Sequence, residues 1–420
     1  MISGIDPIAT DPTTAVTRIH WRLLLLLTLA LLISYIDRGN MATAETLLSD
    51  QLRLSPKQMG LLLSSFYFTY VLAMIPAGYL AERFGAKSIL AAGFAIWSIA
   101  TLLTGICSGF ITLLLCRLLL GIGESATFPS MSKLLASTSP PDQLGRANGI
   151  ASVGYLLGPA VGTFIGGAIM VGYGWRPSFF VFGGVALLWI WPWLHTRISE
   201  PRLRESPQAG PSWAQLLRQR GLWAASLGHF AGNYTFYFVL NWLPDYLDRE
   251  RGLSLSSMAK VTGAAYALNA IGAYSAGVLV DRWSRRTGNV SVIYKSLMAL
   301  NHMAALGCML GLYALPLGPA IGCLFVYQFI VGLASPGCFA IPQVMAGPAA
   351  TARWVGVQNM FGNFAGILAP SITGYLLGSS GSFAHGFLIA ALVNILGILG
   401  WIILLPRVEP VRWSPLTATT

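Results

Sequence analysis

Four ionisable residues interrupt two long apolar stretches of the 420-residue chain. Asp37 and Arg38 fall in the first stretch, and Arg117 and Glu124 fall in a later one. A charge in apolar surroundings persists only where it is paired or used. Carboxyl groups there can take up and release protons, and guanidinium groups can bind carboxylates. The four residues therefore predict a site of chemistry or, as the alternative, two buried ion pairs that only hold helices together.

The spacing of these residues indicates how helices would present them. Arg117 and Glu124 are seven residues apart, which is two helical turns, so both leave the same face of their helix. Asp37 and Arg38 are adjacent and diverge by about 100 degrees around the helix axis, so at most one points straight at a cavity centre. We expect the two acids and two arginines to cluster in one water-accessible hollow between the first and fourth helices.

The composition is that of a protein solvated by lipid. Apolar residues make up 55% of the chain and charged residues 10%, which is too apolar for one soluble core of this length. The net charge of +11 does not indicate nucleic-acid binding, because the basic residues lie between apolar runs. The five cysteines lie in apolar runs without CxxC spacing, so neither a disulfide framework nor a metal site is predicted. With no P-loop and no catalytic constellation, we predict neither an enzyme nor a cofactor.

Twelve apolar runs are long enough to cross a bilayer as helices. The first run lacks a small-residue cleavage site and stays as a helix rather than a cleaved signal. The runs begin near residues 20, 57, 88, 109, 146, 177, 221, 257, 292, 317, 353 and 383.

The distribution of Lys and Arg predicts the orientation in the membrane. An even number of spans places both chain ends on one side, and most basic residues fall in the segments on that side. The opposite side receives only Arg53, Lys57, Arg176, Arg249, Arg251 and Lys260. By the positive-inside rule, both termini are cytoplasmic and the protein is a multi-pass protein of the inner membrane. The predicted units are a cytoplasmic tail (1–19), a six-helix bundle (20–197), a polar cytoplasmic linker (198–220), a second six-helix bundle (221–405) and a cytoplasmic tail (406–420).

The two halves of the sequence repeat each other. The stretch from Gly78 to Lys87 ends the second span, and a stretch of the same pattern, Gly277 to Arg286, ends the eighth. A glycine, asparagine and proline in the fifth span also recur in the eleventh at one constant offset: Gly145, Asn148 and Pro159, then Gly356, Asn359 and Pro370. Two sequence patterns that recur at corresponding places in both halves predict an internal structural repeat.

With these motifs the chain resembles the major facilitator superfamily. The resemblance covers about residues 20 to 405 and implies an all-α membrane protein with 12 transmembrane helices in two pseudo-symmetric six-helix bundles around a central cavity, working by alternating access. Gly78–Lys87 is similar to the loop motif of that superfamily, in which the glycine lets two helices touch and the charges hold the loop at the inner surface. The gating and loop residues that follow are Gly78, Glu82, Arg83, Gly85, Lys87, Asp281 and Arg282.

Ser34–Asn40 and Arg117–Glu124 resemble the anion:cation symporter family, which includes bacterial galactonate, hexuronate and glucarate permeases. The resemblance implies that Asp37 and Glu124 take up protons, that Arg117 tunes Glu124, and that Arg38 grips the substrate carboxylate. Tyr35 and Tyr70 match cavity tyrosines of the family, although Tyr70 fits a packing role equally well. Asn363 matches an asparagine that faces substrate.

Two departures weaken a specific sugar-acid assignment. The fifth span has Gly154 where relatives with that specificity carry a glutamine, and the tenth span lacks an expected tryptophan. Replacement polar contacts are sought among amides, hydroxyls and tyrosines, any of which can instead bond to a neighbouring helix: Asn233, Tyr234, Tyr237, Gln328, Ser335 and Asn359. His229, His302 and His385 are scattered along the sequence, which argues against a metal site and leaves a proton relay open.

These features predict a proton-coupled symporter, a monomer in the bilayer, that imports a small organic anion. Sugar acids such as hexonates and hexuronates are the leading substrates. The alternatives are another carboxylate, aromatic or dicarboxylic, a proton-antiport exporter, or a receptor that keeps the fold without transport.

Overall fold

The computed structural model describes residues 19–198, 210–287 and 289–413. Most of these residues are helical. Long apolar runs lie in lipid, which offers no hydrogen bonds, so their backbone N–H and C=O groups must pair within a helix. The helices are α1 (Trp21–Leu52), α2 (Pro56–Phe84), α3 (Ala86–Ile106), α4 (Phe110–Glu124), α5 (Thr127–Thr138), α6 (Leu144–Tyr173), α7 (Trp175–Leu194), α8 (Trp213–Leu217), α9 (Arg220–Arg249), α10 (Leu255–Thr287), α11 (Val290–Ala314), α12 (Leu317–Ala346), α13 (Thr351–Ser380) and α14 (Ala384–Ile398).

Twelve spans follow from these helices, and each begins within two residues of its predicted start. Among the described residues, ten spans are both long and apolar enough to cross a membrane. The other two, α9 and α10, are 30 and 33 residues long but more polar. Large apolar side chains such as Phe164 and Leu188 are 80% and 73% exposed, as expected of a surface that faces lipid.

The fourth span is made of two helices, α4 and α5, which meet directly after Glu124. Pro129 explains the irregularity, because it has no N–H for the carbonyl of Ser125 and its ring crowds that residue. The break places the end of α4 at the site described below.

The segment between the two bundles contains the short helix α8, which was not predicted. Ser212 caps it in a capping box with Gln215, and Leu216 is fully buried. Trp213 lies beneath the Arg353 guanidinium, with its ring centroid 5.4 Å from the Arg353 Cζ. Of the predicted tails and linker, residues 1–18, 199–209 and 414–420 lie outside the described residues.

The two bundles meet in a symmetric way at one face. We call it the motif face because it carries both motif stretches, Gly78–Lys87 and Gly277–Arg286. Gly78 of α2 lies against the backbone of Ala352 at the start of α13, and Gly277 of α10 lies against Arg146 at the start of α6. The internal repeat in the sequence therefore appears as two equivalent crossings between the halves.

Amide groups join the bundles at the same face. Asn148 of α6 donates its Nδ2 hydrogen to Gln343 Oε1 of α12 at 2.6 Å, and Gln343 Nε2 donates to Asn148 Oδ1 at 3.1 Å. Both side chains are buried. Deeper in the protein, Phe128 of α5 stacks on Phe339 of α12 with ring centroids 4.9 Å apart. The described contacts thus hold the halves together at the motif face.

A side chain at position 78 should force this face apart. In Gly78→Leu, the new side chain would meet the Ala352 backbone, and overpacking of about 1–3 kcal/mol shifts a two-state equilibrium by about 5- to 150-fold. We expect the distance between spin labels at the exposed positions Arg83 and Arg282 to lengthen. Gly60→Leu is the matched control on the same helix, because a side chain there meets nothing within 4 Å. Equal distances in the two variants would contradict the role of Gly78.

Candidate functional site

Arg38 and Glu124 form a buried ion pair between α1 and α4. Arg38 donates from Nη2 at 2.8 Å and from Nε at 3.1 Å, both to Glu124 Oε2. The Glu124 side chain is fully buried, while the Arg38 side chain is 15% exposed. Glu124 Oε1 has no hydrogen-bond partner among the described residues. One carboxylate oxygen therefore holds the guanidinium, and the partial exposure of Arg38 gives another anion a way to reach it.

Three aromatic rings enclose the Arg38 guanidinium. Its Cζ lies 4.3 Å from the ring centroid of Tyr35, 4.8 Å from that of Tyr70 and 4.9 Å from that of Phe66. Ring faces attract a cation and keep water from it, which strengthens any charge pairing there. Phe66 was missed in the sequence, although its spacing of four residues from Tyr70 puts both rings on one face of α2.

Asp37 points away from this pair. Its Oδ2 accepts hydrogen bonds from Trp97 Nε1 at 3.0 Å and from Thr101 Oγ1 at 3.1 Å, both on α3. The side chain is buried, and Oδ1 has no partner among the described residues. The predicted divergence of Asp37 and Arg38 is thus seen, with Arg38 facing α4 and Asp37 facing α3. The acids therefore lie in two neighbouring places rather than in one hollow: Glu124 pairs with Arg38 between α1 and α4, and Asp37 bonds to α3.

Arg117 lies close to the pair without joining it. Its Cζ is 5.2 Å from the Phe66 centroid, on a ring that Arg38 also contacts, and its Nε is 3.5 Å from the Leu62 carbonyl oxygen. Among the described residues, no ion pair links Arg117 to Glu124. Seven residues of helix advance about 10 Å, so the two side chains share a face without touching.

A cavity of about 860 Å³, part of it open to solvent, lies beside this pair and between the two bundles. Six of the residues that the sequence suggested as substrate contacts line it: Tyr35, Asn233, Tyr237, Ser335, Asn359 and Asn363. Tyr35 therefore faces the cavity and contacts Arg38 as well. Four others, Arg38, Tyr70, Tyr234 and Gln328, are not among the lining residues.

A short hydrogen-bond chain runs along the wall formed by α9 and α13. Tyr237 OH donates to Asn363 Oδ1 at 2.7 Å, and Asn363 Nδ2 donates to Asn359 Oδ1 at 3.1 Å. Asn359 Nδ2 has no partner among the described residues. Of the two tyrosines that the sequence predicted on α9, Tyr237 lines the cavity, whereas the hydroxyl of Tyr234 is buried away from it.

The two departures noted in the sequence have structural counterparts. Gly154 does not face the cavity; it lies against the backbone of α1 at Thr28, where a longer side chain has no room. The next residue, Tyr155, lines the cavity, with its ring centroid 5.5 Å from that of Tyr35. On α12, Phe339 provides an aromatic lining. Aromatic rings therefore line this part of the cavity, where the expected glutamine and tryptophan are absent.

The loop-motif residues lie at the motif face, away from the cavity. Glu82 accepts the Arg353 backbone N–H at 2.9 Å and pairs with the Arg353 guanidinium, linking α2 to α13. Lys87 donates to the carbonyl oxygens of Leu194 and Thr196 at 2.9 and 2.7 Å.

The other motif residues are placed as follows. Gly85 has a φ of 93° in the turn between α2 and α3, a conformation that favours glycine. Arg83 donates to Tyr79 OH at 3.0 Å, and Arg282 is exposed. The side chain of Asp281 lies outside the described residues.

Comparison with known proteins gives a consistent result. Residues 27–370 match the family described as Major Facilitator Superfamily. The chain is 30% identical over 381 residues to the hexuronate transporter of Bacillus subtilis (strain 168), with 87% of this chain and 90% of that protein covered. It is 29% identical over 395 residues to a protein named probable sulfoacetate transporter SauU of Cupriavidus necator, with 89% and 91% covered. A solved structure of the superfamily transporter FucP in the outward conformation superposes with a TM-score of 0.75 at 15% identity, covering 90% and 97%.

Proposed function

Because this chain belongs to the major facilitator superfamily, and is thus a membrane transporter and not an enzyme, we propose that it imports a small organic anion together with protons. The observation that carries the proposal is the Arg38–Glu124 ion pair in its aromatic enclosure beside the cavity. In this arrangement the Arg38 guanidinium can pair first with the Glu124 carboxylate and then with the carboxylate of the substrate.

The proposed coupling is a competition for Arg38. While Glu124 is ionised, it occupies the guanidinium through two hydrogen bonds. Protonation removes the charge of Glu124 and releases Arg38 for the carboxylate of the substrate. Proton and anion therefore favour each other's binding, and by thermodynamic linkage the effect is reciprocal. When more protons than anion charges enter, a membrane potential negative inside also drives uptake.

Asp37 and Arg117 have supporting roles in this proposal. Asp37 is the second proton site, and its hydrogen bonds to Trp97 and Thr101 would couple its ionisation to the contact between α1 and α3. Arg117 acts on Glu124 through its charge at a distance rather than by contact, with the Phe66 ring lying against both guanidinium groups. We therefore expect substitution of Arg117 to change the pH dependence of transport only modestly.

Sugar acids are the proposed substrate class. Support comes from the hexuronate transporter at 30% identity and from the amide and tyrosine groups that line the cavity. Tyr35, Asn233, Asn359 and Asn363 are the proposed lining contacts, while Tyr70 acts through Arg38. Tyr234 is the weakest member of the set, because its hydroxyl is buried away from the cavity.

The proposed setting is the inner membrane, with a monomer whose termini are both cytoplasmic. Under this orientation the motif face is the cytoplasmic face, and the contacts of Gly78, Glu82 and Asn148 with the second bundle close it. The anion would then enter from outside, and alternating access would require these contacts to part. The proposed bundles are residues 20–197 and 221–405, joined by the linker 198–220.

Purified protein in proteoliposomes with an internal pH indicator would test the proposal. Addition of D-glucuronate or D-galactonate outside should acidify the lumen, because protons enter with the anion. Antiport would make the lumen alkaline on anion entry, and a receptor would show binding without either change. A lumen that stays at constant pH while a radiolabelled anion accumulates would contradict proton symport.

A further inference from the structure

Part of the cavity is not used by the Arg38–Glu124 pair. It lies in the second bundle, where three polar side chains from three helices converge on the cavity: His229 of α9, Asn301 of α11 and Asn359 of α13. We call these three residues the amide–histidine subsite. His229 is 9% exposed and Asn359 is 2% exposed.

Each residue of the subsite has a polar atom that the described residues leave without a hydrogen bond. These atoms are His229 Nδ1, Asn301 Oδ1 and Asn359 Nδ2. Buried polar atoms are normally paired, so three unpaired atoms on residues that line one cavity indicate a place for a polar ligand. His302 provides a contrast on the same cavity, because its Nδ1 is already 2.9 Å from Asn394 Oδ1.

The chemistry of the subsite fits hydroxyl groups. The orphan set includes an amide donor, an amide acceptor and a ring nitrogen that can act as either. A hydroxyl both donates and accepts, so adjacent hydroxyls on one carbon chain can satisfy all three atoms. The rings of Phe339 and Trp401 also line the cavity and can cover the C–H faces between such hydroxyls.

The subsite does not suit a second carboxylate. Among the described residues that line the cavity there is no lysine or arginine. An anionic group placed there would be buried without a paired cation, which is unfavourable. The charge of the ligand is instead expected at Arg38, which Tyr35 connects to the cavity by contacting both.

From this geometry we infer that the amide–histidine subsite binds the uncharged, hydroxylated end of a singly charged carboxylate, and that the transporter selects such monoanions against dianions with the same carbon skeleton. The inference rests on the proposed function, since it needs a carboxylate held at Arg38. It adds a substrate preference, for monoanions over dianions, that the proposed function leaves open.

Matched pairs of sugar acids test the inference. D-Gluconate and D-glucarate, like D-galactonate and galactarate, share a hydroxylated chain and differ only in a hydroxymethyl or carboxylate end. We expect at least one of the two hexonates to bind purified protein about ten-fold more tightly than its dianion, by isothermal titration calorimetry. A dianion that binds as tightly as its hexonate, or two hexonates that both fail to bind, would overturn the inference.

A second experiment tests the inference with variants of the amide–histidine subsite. Asn301→Leu and His229→Leu should weaken hexonate binding about ten-fold, as expected when one good hydrogen bond is lost. Propanoate, which has a carboxylate but no hydroxyls, should bind the variants within two-fold of the native protein. The matched control is Asn241→Leu on α9, because Asn241 bonds to the Tyr237 carbonyl at 2.7 Å and does not line the cavity.

The outcomes separate this inference from the proposed function. Hexonate and propanoate binding that both stay unchanged in Asn301→Leu and His229→Leu would overturn the subsite while leaving carboxylate binding at Arg38 intact. Equal loss of both ligands in Asn301→Leu would also overturn the subsite, because Asn301 would then not act on the hydroxylated end alone. A native protein that binds neither propanoate nor any hexonate would overturn both.

Discussion

Substitution of Arg38 by alanine is expected to reduce binding of organic anions at least about thirty-fold, since loss of one partner of a buried charge-assisted contact costs about 2–5 kcal/mol. Arg38 is the cation next to the cavity, and three rings hold its guanidinium in place. Isothermal titration with D-gluconate and D-galactonate would measure the loss. Arg38→Lys should recover only part of the affinity, because an ammonium group cannot grip a carboxylate in a bidentate manner.

The control for this prediction must separate binding from folding. Arg38→Ala leaves Glu124 buried without its cation, which by itself destabilises the protein. The double variant Arg38→Ala/Glu124→Gln removes that orphan charge, so it should regain thermal stability and still not bind anions. Arg117→Ala is the competing single variant, because Arg117 contacts the same Phe66 ring. Full anion binding in the double variant would assign the carboxylate site to another residue.

Prediction from the sequence succeeded where one physical property dominates. The spans were found because a helix in lipid needs about 20 apolar residues, and no tertiary contact alters that requirement. The short helix α8 was missed because five residues carry no periodicity, and its stability depends on burial of Leu216 between elements distant in the sequence.

The site was predicted in part, for a related reason. Helix geometry showed that Asp37 and Arg38 diverge, but not which helix each would face, because that depends on how α1 is rotated against α3 and α4. The family resemblance made Arg117, on the same helix, the residue that tunes Glu124, whereas the ion pair with Glu124 is made across helices by Arg38. His229 and Asn301 are 72 positions apart, so only the folded structure shows that they line one cavity.

Substitution of Glu124 by glutamine has the second large expected effect, which falls on energy coupling and not on binding. Glutamine has nearly the shape of a protonated glutamate and carries no charge, so it mimics the proton-loaded state permanently. Arg38 is then always available, and anion binding and exchange should persist. Accumulation driven by a pH gradient should fall to simple equilibration, because position 124, where the proton competes with Arg38, no longer releases a proton when the anion leaves. Proteoliposomes with an imposed pH gradient would measure both processes.

A comparison with Asp37→Asn makes the Glu124 prediction specific. If the competition for Arg38 is the coupling step, anion affinity should rise as the pH falls, because protonation of Glu124 frees the guanidinium. That pH dependence should vanish in Glu124→Gln, which has no proton to gain. It should survive in Asp37→Asn, because Asp37 bonds to Trp97 and Thr101 and does not contact Arg38. Affinity that stays pH-dependent in Glu124→Gln but not in Asp37→Asn would move the coupling step from the α1–α4 contact to the α1–α3 contact.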